Sequence, residues 1–282
     1  MNELKLRKML EQFYLEDIGE RDLTSTSIFS KDDRGEAVLI SKEDGIFSGS
    51  SVVEQGYFLM DPFAEIRLLK KDGEAVKKGE KIAIAHSSIR TILSSERVIL
   101  NLVQRMSGIA TAVNQAVKQL NSTHTKITDT RKTTPGLRML EKYAVRSGGG
   151  CNHRYGLYDT VMIKDNHIGF CGSIKKAVEK ARHSIGHTVK IEVEIESEKQ
   201  LYEAIEANAD IIMFDNRSPE EVKRFAELTP KSIITEASGG ITHELLPLFG
   251  NTGVDYISLG FLTHSVKSLD ISLYMNNKEE MA

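Results

Sequence analysis

The amino-acid sequence predicts an α/β protein in which a small α+β module precedes repeated βα units around a parallel sheet. Three observations favour this fold class. An amphipathic helix and three short strands open the chain, a long helical stretch follows, and from about Thr125 short apolar strands alternate with helical segments. The 282 residues are enough for one large domain or two smaller ones.

The opening module begins with apolar residues at helical spacing. Leu6, Met9, Leu10 and Phe13 predict an amphipathic helix that packs on another element. Strands are predicted at residues 37–40, 64–69 and 82–85, separated by turn signals such as Lys71-Asp72-Gly73.

A long helical periodicity covers residues 88–120 and joins the two parts of the chain. Apolar residues at Ile92, Ile99 and Val103 fall on one face of this stretch. We expect a break at Ser107-Gly108, because glycine is a poor helix former.

Six strands are predicted in the second part, at residues 126–129, 161–164, 189–194, 210–215, 232–236 and 255–260. Six units are too few for an eightfold barrel, so an incomplete barrel and an open doubly wound sheet both remain possible. In βα barrels the active site lies at the carboxyl ends of the strands. The residues that would ring this mouth are Asp129, Lys164, Glu194, Asp215, Glu236 and Gly260.

Bulk composition excludes several classes of protein. Hydrophobic residues make up 40% and charged residues 27% of the chain, as in folded globular proteins. The N-terminus leads into no apolar run long enough for a signal peptide or a membrane span, so we expect a cytoplasmic protein. Cys151 and Cys171 are expected to be reduced thiols. A net charge of −3 does not favour binding to nucleic acid.

The segment from Arg131 to Lys164 is strongly basic. It holds seven Lys or Arg against two acidic residues, a local balance of +5 in a chain of net charge −3. Guanidinium groups match carboxylates with paired hydrogen bonds, and lysine supplies a compact charge for phosphate. We expect Arg138, Lys142 and Arg146 to lie on a solvated helix face. The candidate anion-binding residues, which lie in predicted loops, are Arg131, Lys132, His153 and Arg154.

Two further groups of residues are candidates for the same site. Strand alternation puts Glu192 and Glu194 on one face, Asp215 follows another strand, and such carboxylates can hold Mg²⁺ together with sugar hydroxyls. The segment Ser238-Gly239-Gly240-Ile241-Thr242 follows a strand and is predicted to open a helix, and its uncovered backbone N–H groups could bind phosphate with Gly260. The structural alternatives are inward-facing acids paired with lysine and a simple turn.

The most specific feature of the sequence is a run of motifs in fixed order and spacing. The run consists of Asp129-Thr-Arg-Lys-Thr-Thr-Pro-Gly, Glu141-Lys-Tyr-Ala-Val, Gly148-Gly-Gly, Asn152-His-Arg-Tyr-Gly-Leu and Ile163-Lys-Asp-Asn-His-Ile168. It resembles the signature of quinolinate phosphoribosyltransferases. Supporting pieces, such as Ser95-Glu96-Arg97, extend the resemblance over nearly the whole chain. One local departure is Gly19-Glu20-Arg21-Asp22, which replaces a Gly-x-Gly-Asp-like turn.

The resemblance implies an N-terminal α+β sandwich domain and an incomplete, seven-stranded α/β barrel, so a seventh strand is expected near residues 149–154. The implied boundaries are 1–106, joined by the C-terminal tail 266–282, and 107–265 for the barrel. A homodimer, or a hexamer built as a trimer of dimers, is also implied. In it the first domain of one subunit caps the barrel mouth of the other, and the active sites are shared.

The activity that the resemblance implies is a step of de novo NAD biosynthesis. Phosphoribosyl passes from phosphoribosyl pyrophosphate to quinolinate with decarboxylation, giving nicotinate mononucleotide, CO₂ and pyrophosphate. The substrates are small molecules, the implied cofactor is Mg²⁺, and neither nucleic acid nor a membrane is an expected partner.

Site residues carry over by matched position. The implied catalytic residues are Lys132, Lys164, Glu194 and Asp215, and the last two would also bind Mg²⁺, in part through substrate and water. The residues that would bind the pyridine carboxylates are Arg131, His153, Arg154, Lys164 and, from the partner subunit, Arg97. Lys132 and Lys164 would serve the pyrophosphate, and Glu194 and Asp215 the ribose. The remaining substrate-binding residues are Thr130 and, for the 5-phosphate, Ser238, Gly239, Gly240 and Gly260.

Two other functions compete with this one. The first is a related phosphoribosyltransferase or pyrophosphorylase of the same fold, such as the homologue associated with molybdate transport genes; the run Lys164-Asp165-Asn166-His167 argues against it. The second is a non-catalytic sensor of phosphosugars or pyridine acids. A sensor would not require the acidic pair Glu194 and Asp215 together with a lysine for the leaving group.

Overall fold

The computed structural model describes residues 1–275, which form two compact units. The first unit contains Met1–Ala112, Met139–Gly149 and, within the described residues, 265–275, and the second contains Val113–Arg138 and Gly150–His264. The domain boundary expected between residues 106 and 107 stays a prediction, and the predicted tail lies partly outside the described residues.

The first half of the chain alternates helices with short strands and ends in one long helix. Its elements are α1 (Glu3–Ile18), α2 (Leu23–Ile28), β1 (Arg34–Ser41), β2 (Gly45–Ile46), α3 (Ser50–Met60), β3 (Glu65–Leu68), β4 (Ala75–Val76), β5 (Lys81–Ser88) and α4 (Ile89–Leu120).

The second half alternates single strands with helices until its last strand. Its elements are β6 (Lys126–Thr128), α5 (Arg138–Ser147), β7 (Val161–Ile163), α6 (Asp165–Cys171), α7 (Ile174–Ser184), β8 (Ile191–Ile195), α8 (Glu198–Glu206), β9 (Ile211–Asp215), α9 (Pro219–Leu228), β10 (Ile234–Ser238), α10 (Leu246–Phe249), β11 (Tyr256–Ser258), α11 (Phe261–His264) and β12 (Ile271–Met275).

An antiparallel sheet organises the first unit. Its strand order is β12-β1-β5-β3, and β2 pairs separately with β4. Helix α1 buries Leu6, Leu10 and Tyr14, so the amphipathic pattern of the opening residues is confirmed. The three strands predicted in this unit are confirmed as β1, β3 and β5, each within a few residues.

Helix α4 is continuous through Ser107-Gly108, so the predicted break is wrong. A β-carbon added at Gly108 would lie 2.2 Å from the backbone oxygen of Lys267. Glycine therefore allows another backbone to approach the helix closely at this point, and the helical packing outweighs the low intrinsic propensity of this residue.

The second unit is built on a parallel sheet with the order β6-β11-β10-β9-β8-β7. From β7 to β11 each strand lies beside the next one in sequence, and β11, the last strand of this sheet, pairs with its first strand, β6. This is a barrel order rather than a doubly wound one, in which the order reverses within the sheet. Cys151 forms a parallel bridge to Thr128 on the free side of β6, within the segment expected to hold a seventh strand. Within residues 1–275 the parallel sheet thus has six strands and this single bridge.

Helix α5 differs from its predicted solvated character. Lys142 is fully buried, so the expectation of an exposed side chain is wrong there, whereas Arg146 is exposed. Glu141 is also buried and lies 2.7 Å from the guanidinium of Arg105. Charged residues in this helix therefore serve the packing of the first unit, to which most of α5 belongs.

Two bulk properties complete the description of the fold. Both cysteines, Cys151 and Cys171, are free thiols. None of the helices formed by residues 1–275 is long and apolar enough to cross a membrane.

Candidate active site

A cavity of about 640 Å³ lies at the carboxyl ends of the parallel strands in the second unit. Every predicted site residue except Arg97 lines it, and these residues come from loops or strand ends that are far apart in sequence. The predicted residues brought together here are Thr130, Arg131, Lys132, His153, Arg154, Lys164, Glu194, Asp215, Ser238, Gly239, Gly240 and Gly260.

Two residues expected at the mouth do not line this cavity. Asp129 is fully buried, and Glu236 is only 5% exposed. Strand β10 runs two residues further than predicted, so Glu236 lies inside the strand and Ser238 occupies its carboxyl end. The expectation that both acids ring the mouth is therefore wrong.

Arg97 is the predicted site residue that the second unit does not contain. It belongs to the first unit, on α4, with a side chain that is 66% exposed and 3.0 Å from the carboxylate of Glu96. Its predicted role across a subunit interface stays a prediction.

Basic side chains give one part of the cavity a strong positive charge. The guanidinium of Arg154 donates hydrogen bonds to the Thr160 carbonyl at 3.1 Å and to the Met162 sulfur at 3.5 Å. Burial, and next the charge of Arg131, lower the pKa of Arg154 below its usual value. The negative charges of Glu192 and Asp159 offset this effect only in part. Two guanidinium groups held near each other are a site for a carboxylate or phosphate.

Buried Asp129 anchors the loop that carries His153 and Arg154. One oxygen of its carboxylate accepts the backbone N–H of His153 at 2.8 Å, and the other accepts the side-chain amide of Asn152 at 2.7 Å. Because Asp129 directly follows β6, the loop is fixed to a strand end rather than left free.

A second acidic group lies in the barrel interior. The Nε2 atom of His153 is 3.2 Å from a carboxylate oxygen of Glu192 and 3.5 Å from one of Glu236. Burial, and next the negative charge of Glu192, raise the pKa of Glu236. Sequence reasoning found Glu192 by strand alternation but did not connect it with His153, because the two are 39 residues apart.

Acidic and basic side chains also meet at the ends of β7, β8 and β9. The ammonium group of Lys164 pairs with the carboxylate of Glu194. Burial raises the pKa of Glu194, Lys164 partly offsets this effect, and the negative charge of Asp215 raises it again. Two carboxylates close enough to interact in one cavity offer oxygen ligands of the kind that Mg²⁺ prefers, so Glu194 and Asp215 fit this ion.

Glycines line the part of the cavity after β10 and β11. Gly239 and Gly240 have φ angles of +82° and +66°, which favour glycine, and a β-carbon on Gly239 would lie 2.4 Å from the side-chain oxygen of Asn216. The helix predicted to open here is absent, since residues 239–245 form a loop and the next helix, α10, is four residues long. In this segment a phosphate could therefore be bound by the backbone N–H groups of a loop, but not by those of a helix N-terminus.

Apolar lining residues were not predicted. Met162, Met213, Ile241, Leu259 and Phe261 all line the cavity and give it surfaces that suit an aromatic ring. Alternation along β9 could have identified Met213, which shares a face with Asp215.

The sequence matches two family models that together cover most of the chain. The model described as quinolinate phosphoribosyl transferase, N-terminal domain, matches residues 22–107, and the model of the C-terminal domain matches residues 109–274. The chain belongs to this family.

Relatives within the family are similar over nearly their full length. A protein of Bacillus subtilis (strain 168), named probable nicotinate-nucleotide pyrophosphorylase (carboxylating), is 61% identical across 97% of this chain and 94% of the relative. The crystal structure of NadC from Streptococcus pyogenes has a TM-score of 0.94 and 37% identity, with 98% of this chain and 99% of that one covered. The structure of the nicotinate-nucleotide pyrophosphorylase from Francisella tularensis has a TM-score of 0.92 and 36% identity, with 98% of each chain covered.

Proposed function

We propose that the chain transfers phosphoribosyl from phosphoribosyl pyrophosphate to quinolinate with decarboxylation, giving nicotinate mononucleotide, CO₂ and pyrophosphate. One observation carries the proposal: Arg131 and Arg154 line the same cavity as the group Lys164, Glu194 and Asp215. The first pair suits a dicarboxylate, and the second group suits a ribose that is losing an anionic leaving group. Membership of the family and the activity named for its relatives support the same reaction.

On the pyridine side, Arg131, His153, Arg154 and Lys164 surround the two carboxylates of quinolinate. Guanidinium forks fix the plane of the ring, so that its nitrogen can face C1 of the ribose. The apolar lining packs against the ring and limits the access of water, which weakens solvation of the carboxylate that is lost.

On the phosphoribosyl side, Lys132 and Lys164 stabilise the departing pyrophosphate. Glu194 and Asp215 orient the ribose hydroxyls and stabilise the positive charge that develops at C1. Thr130, which lines the same cavity, is also a substrate-binding residue, and the residues that bind the 5-phosphate are Ser238, Gly239, Gly240 and Gly260. When bound, Mg²⁺ at Glu194 and Asp215 supplies positive charge to the pyrophosphate, partly through substrate and water.

The order of bond changes follows from these positions. The bond between C1 and the pyrophosphate oxygen breaks, and the ring nitrogen of quinolinate bonds to C1. The nitrogen is then quaternary, and its positive charge stabilises the electron pair that stays on C2 when the bond to the 2-carboxylate breaks. Breakage of that bond releases CO₂, and the electron pair on C2 takes a proton from solvent. Orientation of quinolinate therefore matters more than a strong acid or base.

We also propose that the enzyme works in the cytoplasm as a dimer or a trimer of dimers with shared sites. The exposed Arg97 supports this proposal, because it belongs to the first unit and has no place among the residues that line the cavity of the second. A two-fold dimer would use the same surface on both subunits, and each would then supply Arg97 to its partner.

The direct test is to incubate the purified protein with quinolinate, phosphoribosyl pyrophosphate and Mg²⁺. We expect nicotinate mononucleotide and CO₂. Product from nicotinate but not from quinolinate would instead indicate a related phosphoribosyltransferase. Tight binding of either substrate without turnover would indicate a sensor.

A further inference from the structure

A smaller cavity of about 250 Å³ lies in the barrel interior, and His153 and Arg154 line both it and the larger one. Its wall includes Glu192 and Glu236, which are 1% and 5% exposed. Each of these acids has a buried carboxylate oxygen for which no hydrogen bond of good geometry is formed within the described residues. Such oxygens in a native interior require an explanation.

The hydrogen bonds of His153 identify which ring nitrogen carries the proton. The Nδ1 atom accepts the backbone N–H of Arg154 at 2.7 Å, so Nδ1 holds no hydrogen. The neutral ring must then carry its hydrogen on Nε2, which lies 3.2 Å and 3.4 Å from the two carboxylate oxygens of Glu192. Nε2 is therefore the donor, and the acceptor is the Glu192 oxygen at 3.4 Å, Oε1, while Oε2 at 3.2 Å is the oxygen without a hydrogen bond of good geometry within residues 1–275.

A metal ion is the competing explanation for the same three side chains. One ligand atom each from His153, Glu192 and Glu236 lie within 4.8 Å of one another. A neutral histidine that binds a metal through Nε2 carries its hydrogen on Nδ1. Such a ring could not accept the N–H of Arg154, so the observed hydrogen bond favours a proton over a metal at Nε2.

Arg154 is fixed at both ends by this arrangement. Its backbone N–H is held by His153, and its guanidinium donates to the carbonyl of Thr160 at 3.1 Å. Both ring nitrogens of His153 make contacts within the protein, so the ring, besides lining the larger cavity, also determines the position of Arg154.

We propose that Glu192 is a positioning residue that acts through His153: by accepting the Nε2 hydrogen it fixes the ring as one tautomer and so holds Arg154 in the orientation that binds a quinolinate carboxylate. The part of this inference that concerns quinolinate rests on the proposed function. The part that concerns the tautomer of His153 does not. Glu192 does not line the larger cavity, so it need not touch quinolinate.

The tautomer is tested by nitrogen NMR of the full-length protein with ¹⁵N-labelled histidine. The chain has eight histidines, and the signals of His153 are assigned by their loss in a His153→Asn variant. We expect a neutral ring with the hydrogen on Nε2. A hydrogen on Nδ1, on both nitrogens, or on Nδ1 with a metal at Nε2 would overturn the proposal, whatever the protein catalyses.

The positioning role is tested by kinetics of Glu192→Gln and Glu192→Leu. Glutamine keeps an oxygen acceptor for Nε2, whereas leucine has a similar volume and none. We expect the leucine variant to raise the quinolinate KM about tenfold or more, because Arg154 would lose one charge-assisted hydrogen bond to the quinolinate carboxylate. The changes in kcat and in the KM for phosphoribosyl pyrophosphate should be smaller. The glutamine variant should recover most of this loss.

Glu179→Leu is the matched control, because Glu179 is exposed on α7 and lines neither cavity. If the leucine variant does not fold, the proposal is tested by the NMR result for the His153 tautomer and by the quinolinate KM of the glutamine variant, which should stay close to that of the unaltered protein. An unchanged quinolinate KM in a folded leucine variant, or equal losses for glutamine and leucine, would overturn the proposal. If the unaltered protein has no quinolinate turnover, the proposed function fails while the tautomer result stands by itself.

Discussion

Replacing Arg154 with methionine separates substrate binding from stability. The guanidinium has five N–H donors and uses one on the Thr160 carbonyl and one on the Met162 sulfur, so others remain for a carboxylate. Burial is the main cause of the lowered pKa of Arg154, and the charge of Arg131 is the next. The positive charge of Arg154 therefore destabilises the folded protein when no anion is bound. Methionine has similar length and no charge. The folded protein should therefore be as stable as before, or more stable.

The expected loss of affinity follows from the bonds that are removed. A hydrogen bond to a charged group contributes about 1.5–3 kcal/mol. A guanidinium that binds a carboxylate forms two such bonds, whose contributions are not independent. We expect Arg154→Met to weaken quinolinate binding by about 3 kcal/mol, which is about a hundredfold in Kd.

Calorimetric titration with quinolinate and a thermal unfolding scan measure the two effects on the same preparation. Arg224→Met is the control, since Arg224 pairs with Glu198 at the surface and does not line the cavity. Near-normal quinolinate affinity in a folded Arg154→Met protein would refute the assignment of this residue. Loss of the fold would instead show that the charge is structural.

Three further predictions concern the acids of the site and the subunit interface. Glu194→Ala and Asp215→Ala should lower kcat more than quinolinate affinity, because both act at the reacting ribose; unchanged turnover with lower thermal stability would make them structural. The raised pKa of Glu236 means that the folded protein keeps a proton that the unfolded chain releases, so stability should fall as the pH rises from the ordinary value of 4.5 through the raised one. Glu236→Gln should flatten that fall in a pH series of unfolding midpoints, and an equally steep fall would contradict burial as the cause. Mixing inactive Arg97→Ala and Arg131→Ala subunits should restore about a quarter of the sites by random association, whereas an inactive exchanged mixture would exclude a role of Arg97 in trans.

The strand ends show how much of the site could be predicted from the sequence. Lys164, Glu194 and Asp215 were identified because apolar strands that end in a polar residue, repeated along a βα chain, place those residues at one edge of a parallel sheet. This inference needs only the strand and its last residue, and no knowledge of packing.

Depth inside the barrel could not be predicted in the same way. Glu236 was expected at the mouth, but a shift of β10 by two residues puts it in the interior, where it faces His153. The sequence defines the ends of a strand only within a few residues, and a shift of two keeps the side chain on the same face while changing its level in the barrel.

Contacts distant in sequence account for the other errors. Gly108 was expected to break a helix, but it allows the backbone at Lys267 to approach α4. Lys142 was expected in solvent and is fully buried in α5. Local propensity predicted a break at Gly108, and the close approach of a remote segment requires glycine there instead. Charge predicted an exposed Lys142, but its burial depends on the tertiary fold, which the sequence pattern of one helix does not define.

Following each carboxylate of quinolinate separately tests the central claim most directly. With phosphoribosyl pyrophosphate and Mg²⁺ present, label on the 2-carboxylate should appear as CO₂, label on the 3-carboxylate should stay in nicotinate mononucleotide, and pyrophosphate should form in equal amount. The Arg154→Met variant should slow the release of CO₂ and pyrophosphate together. Release of pyrophosphate without CO₂, or equal turnover of nicotinate, would contradict a cavity built to hold and decarboxylate quinolinate.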